Sequence, residues 1–233
     1  MKIELCIPAF NEERVIAESA MRVRDALRTI SSDSRVTVVS NASTDVTAAR
    51  AGSVEGIHVL QIKERGKGAA IVAAARESHT DFFGFIDADL SADPSDITVL
   101  FRALERGECD IAIGSRLMDT GMVERTWMRT MSSRAFNMLR KLLLGISAQD
   151  SQCGLKLMNE RGRSILASCQ ETGWFLDMEL LFCAERAGLR VHEIPIHWNE
   201  QRYEGRASKL RVMRDGIGAL TAMMRIRRRY MGQ

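Results

Sequence analysis

Five times in its first 116 residues the chain repeats one pattern: a short β-favouring run, a small polar loop, then a helical segment. The runs occupy residues 2–8, 35–39, 57–61, 82–86 and 110–113. Strands joined through helices have to cross over, and the crossovers are right-handed, so the pattern specifies an α/β fold with a mostly parallel sheet and helices on both faces. The polar loops then gather along the carboxyl edge, where open α/β sheets bind their ligands. The first helix should run to about residue 30, opened by Asn11, Glu12 and Glu13, residue types suited to a helix start. A run from Gln149 to Lys156 is too polar for plain core and is expected to return a strand to the sheet edge. A helix at 176–187 and a strand at 190–197 follow.

The fourth loop carries the chemistry. Asp87-Ala88-Asp89-Leu90-Ser91-Ala92-Asp93-Pro94 follows the apolar run 82–86 and precedes a helix opened by Pro94. Two carboxylates one residue apart at the end of an extended segment are suited to a hard divalent cation, Mg²⁺ or Mn²⁺, that neutralises a diphosphate. Taken alone, the same pair also reads as acids capping a strand-to-helix turn. Five cysteines without a C-x-x-C pair read as reduced, mostly buried thiols in a cytosolic protein, and the four scattered histidines lack metal-ligand spacing. No stretch approaches the roughly 18 apolar residues of a membrane span, and Met1-Lys2-Ile3-Glu4 shows no signal-peptide pattern.

Charge is unevenly distributed. Between Arg206 and Arg229 eight basic residues face one acid, a local +7 inside a chain of net +3, which leaves −4 elsewhere. Leu210, Met213, Ile217, Leu220 and Met224 fall at the spacing of one helical face, so residues 206–233 read as a basic amphipathic C-terminal helix appended to a domain of 1–205. Residues 125–145 carry five basic residues and no acid among many apolar ones, the pattern of amphipathic interface helices or of core-packed helices with a basic flank. Either cationic segment would suit an anionic membrane surface, and either would also serve a homo-oligomer. Nucleic acid is not expected, since the tail lacks interleaved stacking aromatics and a reading module.

In order and spacing, these loops resemble the family 2 glycosyltransferases of GT-A fold, and within them the polyprenyl-phosphate sugar synthases, dolichyl-phosphate β-glucosyltransferase and dolichol-phosphate mannose synthase. The resemblance rests on Ile7-Pro8-Ala9-Phe10-Asn11-Glu12-Glu13, Gly66-Lys67-Gly68, Asp87-Ala88-Asp89-Leu90, Gly114-Ser115-Arg116 and Asp150-Ser151-Gln152-Cys153-Gly154-Leu155-Lys156. Asp177-Met178-Glu179-Leu180-Leu181, Glu193-Ile194-Pro195 and Ser208-Lys209-Leu210 complete it. It implies the GT-A nucleotide-diphospho-sugar transferase fold and a donor site of Pro8, Asn11, Glu12, Ser40, Asp45, Lys67, Asp87, Ala88, Asp89, Ser208 and Lys209. Asp87 and Asp89 would be the metal ligands. Arg116, Arg129, Ser133 and Gln152 would grip an acceptor phosphate, with Asp89, Arg116, Asp177 and Arg202 the catalytic set and Arg202, Ser208 and Lys209 in a closing loop.

The pattern is broken in three places. Ser40 stands where the family commonly has a base-binding aspartate, leaving Asp45 the second loop's only carboxylate; Ser91 replaces a frequent glutamine; and the closing loop is one residue longer between Gly205 and Ser208. The implied reaction is inverting transfer of a hexose from a nucleotide-sugar, UDP-glucose in preference to GDP-mannose, to a polyprenyl phosphate at the cytosolic, inner face of the membrane. The acceptor phosphate is already anionic, so it needs orientation more than a base. Asp177 and Glu179 would touch sugar hydroxyls, serve as a base toward an alcohol, or simply favour a helix N-terminus. A soluble acceptor and a non-catalytic membrane-surface scaffold are the rival readings, and no G-x-G-T-R-x-x-P loop supports a nucleotidyltransferase.

Overall fold

A computed structural model describes residues 1–116, 141–199 and 212–231. Seven strands form one sheet: β1 (Ile3–Ala9), β2 (Ser34–Asn41), β3 (Ile57–Ile62), β4 (Phe82–Ile86), β5 (Ile111–Ser115), β6 (Leu155–Asn159) and β7 (Val191–Pro195). Their order in space is β3-β2-β1-β4-β6-β5-β7. The central β1 pairs in parallel with β2 on one side and β4 on the other, and it is almost wholly buried, as expected of an apolar run covered on both faces. Its one acid, Glu4, is buried but answered across the ladder by Thr37 at 2.5 Å and Arg35 at 2.7 Å on β2. Helices α1 (Ile16–Arg28), α2 (Thr47–Gly52), α3 (Lys67–Glu77), α4 (Ile97–Glu105), α5 (Glu160–Ser168), α6 (Leu176–Arg186) and α7 (Val212–Met231) flank the sheet. The chain turns one way from β1 to β2 and the other way to β4, so the crevice between β1 and β4 is the switch point.

Two expectations are corrected here. The strand after the Gln149–Lys156 run does not sit at the edge: β6 inserts between β4 and β5, antiparallel to both. That direction puts its leading loop, residues 150–154, at the carboxyl ends of β4 and β5. Asn11 and its neighbours do not open α1, which starts at Ile16; Asn11 has φ 55° in a loop that reaches sideways to the loop after β2. Among the α7 side chains described, Ala219, Ala222, Met223 and Ile226 are buried, whereas Leu220 and Met224 are exposed. The small alanines let the helix approach closely on that face, and ion pairs from Arg225 and Arg229 fix its rotation. Leu210 and most of the 125–145 segment lie outside the described residues, and among those described no helix is long and apolar enough to cross a membrane.

Candidate functional site

Asp87 is the first residue past β4, and the turn that follows is closed by the Leu90 N–H donating to the Asp87 carbonyl at 3.0 Å, with Leu90 at φ 48°. The Asp89 carboxylate is oriented by the Ser91 N–H at 3.1 Å. From the neighbouring loop, Lys67 places its ammonium 2.7 Å from Asp87 Oδ1. Asp87 Oδ2 lies against Gly154, where a Cβ would collide with the carboxylate, so the glycine of the β6 loop leaves room for the acid. The loop of Lys67 is seated just as tightly: a Cβ at Gly66 or Gly68 would enter the backbone carbonyls of Thr172 and Glu171.

Behind this pair lies a second one that the sequence reading quoted without a role. Lys156, the second residue of β6, is 0% exposed, and its Nζ donates to Asp177 Oδ1 at 2.6 Å and to the Cys153 carbonyl at 2.7 Å. Its ammonium also lies 5.3 Å from the Phe85 ring centre. A buried lysine is tolerable only with partners of this kind. Burial pushes the Asp87 carboxyl above its ordinary pKa against the pull of Lys67. Burial also draws the Lys67 ammonium down, yet Asp87, Asp177 and Asp89 together hold it above its usual value. Three carboxylates thus share two ammonium groups, a local charge of −1 that favours an incoming cation.

The donor set fits a hard divalent ion. Asp87 and Asp89 offer oxygen ligands at the strand end, with Lys67 already on one oxygen of Asp87. Among the described residues there is no group of three or more His, Cys, Asp or Glu side chains to form a complete protein cage. A cation here would complete its shell with substrate phosphates and water, the usual habit of Mg²⁺.

The remaining predicted residues sort by loop. Pro8 lies in β1; Ser40 and Ala88 are buried, and Ala88 accepts from Ser19 Oγ at 2.6 Å. Asn11 Oδ1 accepts from the Thr44 N–H at 2.8 Å, and the Glu12 N–H donates to Thr47 Oγ1 at 2.8 Å, so both clamp the first loop to the second. Asp45 lies two residues before α2: one carboxylate oxygen accepts from the Thr47 N–H and hydroxyl and the other from the Glu13 N–H. Against the upward push of burial, those bonds hold its pKa below the usual carboxylate range. Among the described residues, the Oδ1 of buried Asn41, at the end of β2, has no hydrogen-bond partner.

Arg116, at the end of β5, is gripped in bidentate fashion by Asp150, Nε to Oδ2 at 2.8 Å and Nη2 to Oδ1 at 2.6 Å, and stacks 4.8 Å from the Trp198 ring centre. Burial raises the Asp150 carboxyl, but Arg116 and Lys156 hold it below its ordinary value. Glu193 on β7 fixes the same loop by accepting from the Gln149 and Asp150 N–H groups at 2.7 and 2.6 Å. Gln152 is exposed on that loop. The segment after β7 is tied back to the acid loop, with the Asp93 N–H on the His197 carbonyl and the Asn199 N–H on the Ser91 carbonyl. Arg129, Ser133, Arg202, Ser208 and Lys209 lie outside the described residues. Besides Lys156, sequence reasoning missed Trp174, a 62% exposed aromatic whose ring lies 5.2 Å from Lys67 Nζ.

A family model described as Glycosyl transferase family 2 matches residues 4–162, more than half of the chain. The chain belongs to glycosyl transferase family 2. Among its relatives, the glycosyltransferase AglD of Haloferax volcanii is 29% identical over 97% of this chain, which spans 37% of AglD's length. The dolichyl-phosphate beta-glucosyltransferase of Drosophila melanogaster is 29% identical over 86% of the chain and 68% of its own length. The undecaprenyl-phosphate mannosyltransferase of Micrococcus luteus is 30% identical over 86% of the chain and 85% of its own length. A crystal structure of glucosyl-3-phosphoglycerate synthase from Mycobacterium tuberculosis, in complex with Mn²⁺, UDP-glucose and phosphoglyceric acid, superposes with a TM-score of 0.69 at 21% identity, over 97% of this chain and 79% of that one. The fold is therefore GT-A, as the order of strands and loops implied.

Proposed function

We propose that the protein is an inverting, divalent-cation-dependent hexosyltransferase that moves glucose or mannose from a nucleotide-sugar to a polyprenyl phosphate, working peripherally at the cytosolic, inner face of a membrane. The observation that carries this reading is the joining of Asp87, Asp89 and Lys67 at the carboxyl end of β4, on the switch point of the sheet. Bound there, Mg²⁺ or Mn²⁺ would supply Lewis-acid stabilisation of the departing nucleoside diphosphate.

The chain's own groups do the rest. Asp87 and Asp89 would hold that cation against the diphosphate, and Lys67 adds a positive charge as the leaving group becomes more anionic. Asn41 Oδ1, buried and unsatisfied, is suited to accept an N–H from the nucleotide base, taking over from the aspartate that Ser40 replaces. Arg116, held flat by Asp150 and Trp198, is preorganised for an anionic acceptor phosphate, with Gln152, exposed on the loop of Asp150, and Arg129 and Ser133 as further candidates. Asp177 is tied to Lys156, a poor arrangement for proton abstraction, which favours an acceptor that is already ionised. Arg202, Ser208 and Lys209 are proposed to close over the diphosphate. The outward face of α7, with Leu220, Met224, Arg227 and Arg228 exposed, combines apolar and cationic groups in the manner of a helix lying on anionic lipid.

A donor screen with and without Mn²⁺, using a short polyprenyl phosphate and phosphoglyceric acid as competing acceptors, tests the reading. Cation-dependent transfer from UDP-glucose to the lipid phosphate supports it. Transfer to the soluble acid alone, with no binding to anionic vesicles, would replace it with a soluble-acceptor enzyme.

A further inference from the structure

The loop that presents Lys67 rests on residues 170–174. The Ala69 N–H donates to the Thr172 carbonyl at 3.0 Å, Gly66 and Gly68 press on the backbone of 171–173, and Trp174 carries its ring to Lys67. This segment sits between α5 and α6 without strand pairing of its own. A buried side chain holds its start: Glu179 Oε2 accepts from the Gln170 N–H at 2.8 Å and the Glu171 N–H at 2.6 Å. The other oxygen of Glu179 is taken from the opposite direction. Oε1 accepts from Arg229 Nη1 at 2.6 Å and from the Tyr230 hydroxyl at 2.8 Å, both on α7. Glu171 is held from the same helix by Arg225, through Nε at 2.7 Å and through Nη2.

We propose that Glu179 is a positioning residue that couples docking of the tail helix to donor binding, by fixing the segment on which Lys67 and its loop are built. Glu179 is 0% exposed, so it stays in place only while its charge is answered. When α7 leaves, Glu179 loses Arg229 and Tyr230 and Glu171 loses Arg225 and Arg229, and two neighbouring carboxylates lose the cations that answered them. Their repulsion and hydration then pull the segment open, and the seat of Gly66-Lys67-Gly68 moves with it. A helix whose outer face meets lipid and whose inner face holds this clamp makes the donor site dependent on the tail; only the substrate readout below rests on the proposed transferase activity.

The test uses the full chain and the substitutions Glu179→Gln, Arg229→Ala and the conservative Arg229→Lys, followed by hydrogen exchange of the amides at 66–70, 169–175 and in β1, and by donor KM and kcat. The coupling predicts that Glu179→Gln and Arg229→Ala speed exchange at 66–70 as well as at 169–175 and leave β1 protected. It also predicts a donor KM raised about five- to tenfold, the ordinary size of a coupling between sites, with kcat nearly unchanged and Arg229→Lys largely restored. Faster exchange confined to 169–175, or an unchanged donor KM, overturns it. A uniform rise in all three segments marks Glu179 as a mere stability element and overturns it too; if Glu179→Gln does not fold, Tyr230→Phe carries the same comparison. Should no donor support turnover, the proposed activity fails while the exchange at 66–70 still decides the coupling.

Discussion

Replacing Lys156 by methionine removes the cation that, among the described residues, is bonded to buried Asp177. Both side chains are almost completely shielded from water and joined at 2.6 Å, and the lysine also donates to the Cys153 carbonyl. Breaking such a pair leaves an uncompensated buried carboxylate, a loss of about 3–5 kcal/mol. For a chain of this size that corresponds to a melting point lower by about 6–20 °C. The double substitution Lys156→Met with Asp177→Leu removes both charges and should regain most of the loss. Only the orphaned Cys153 carbonyl then remains, worth about 1–3 kcal/mol. Urea unfolding of the wild type, both single variants and the double variant closes the cycle. If the double variant is less stable than Lys156→Met alone, Lys156 and Asp177 do not answer one another and the charge balance drawn for the site is wrong.

Other outcomes follow from the same contacts. Asp89→Ala should lower cation-dependent transfer by about 10²- to 10³-fold, the usual scale for losing one electrostatic stabiliser, with an unchanged melting curve; undiminished turnover would point to a different metal site. Gly68→Ala drives a Cβ into the backbone of residues 171–173, which cannot swing aside, so it should cost about 1–3 kcal/mol and raise donor KM, as thermal melts and steady-state kinetics would show. Burial works against the Asp110 carboxyl, but hydrogen bonds from the Arg190 backbone and side chain and from Asn159 bring it to about 2. Because the folded value is depressed, that stabilisation is present above the unfolded pKa of roughly 4 and fades as pH falls toward 2. Asp110→Asn should therefore lower stability at pH 6 and flatten its decline over that acid range in chemical unfolding.

The parts of the fold that depend on local periodicity were readable in the amino-acid order. The first four β-favouring runs became strands within a residue or two, and Asp87-Ala88-Asp89 fell at the end of one because Phe82–Ile86 is a short, wholly apolar run. The place of β6 was not readable. Its antiparallel insertion is settled by Gly154 against Asp87 and Asp150 against Arg116, contacts between residues far apart in the chain. Lys156 carries no local sign of burial, since only the arrival of Asp177 from α6 makes its position tolerable. The same holds for Glu179: two acids in the first turn of α6 both suit the helix dipole, yet one faces Lys156 and the other the tail. On α7 the spacing of Leu220 and Met224 marked one apolar face, but not that Ala219, Ala222, Met223 and Ile226 would be the side chains packed against the body.

The most direct measurement is a crystal structure of the protein with UDP-glucose and Mn²⁺. The account predicts manganese bonded to an Asp89 carboxylate oxygen and to the diphosphate, with Lys67 within hydrogen-bond reach of the same phosphates. A nucleotide bound elsewhere, or both acids directed away from the pyrophosphate, would contradict it.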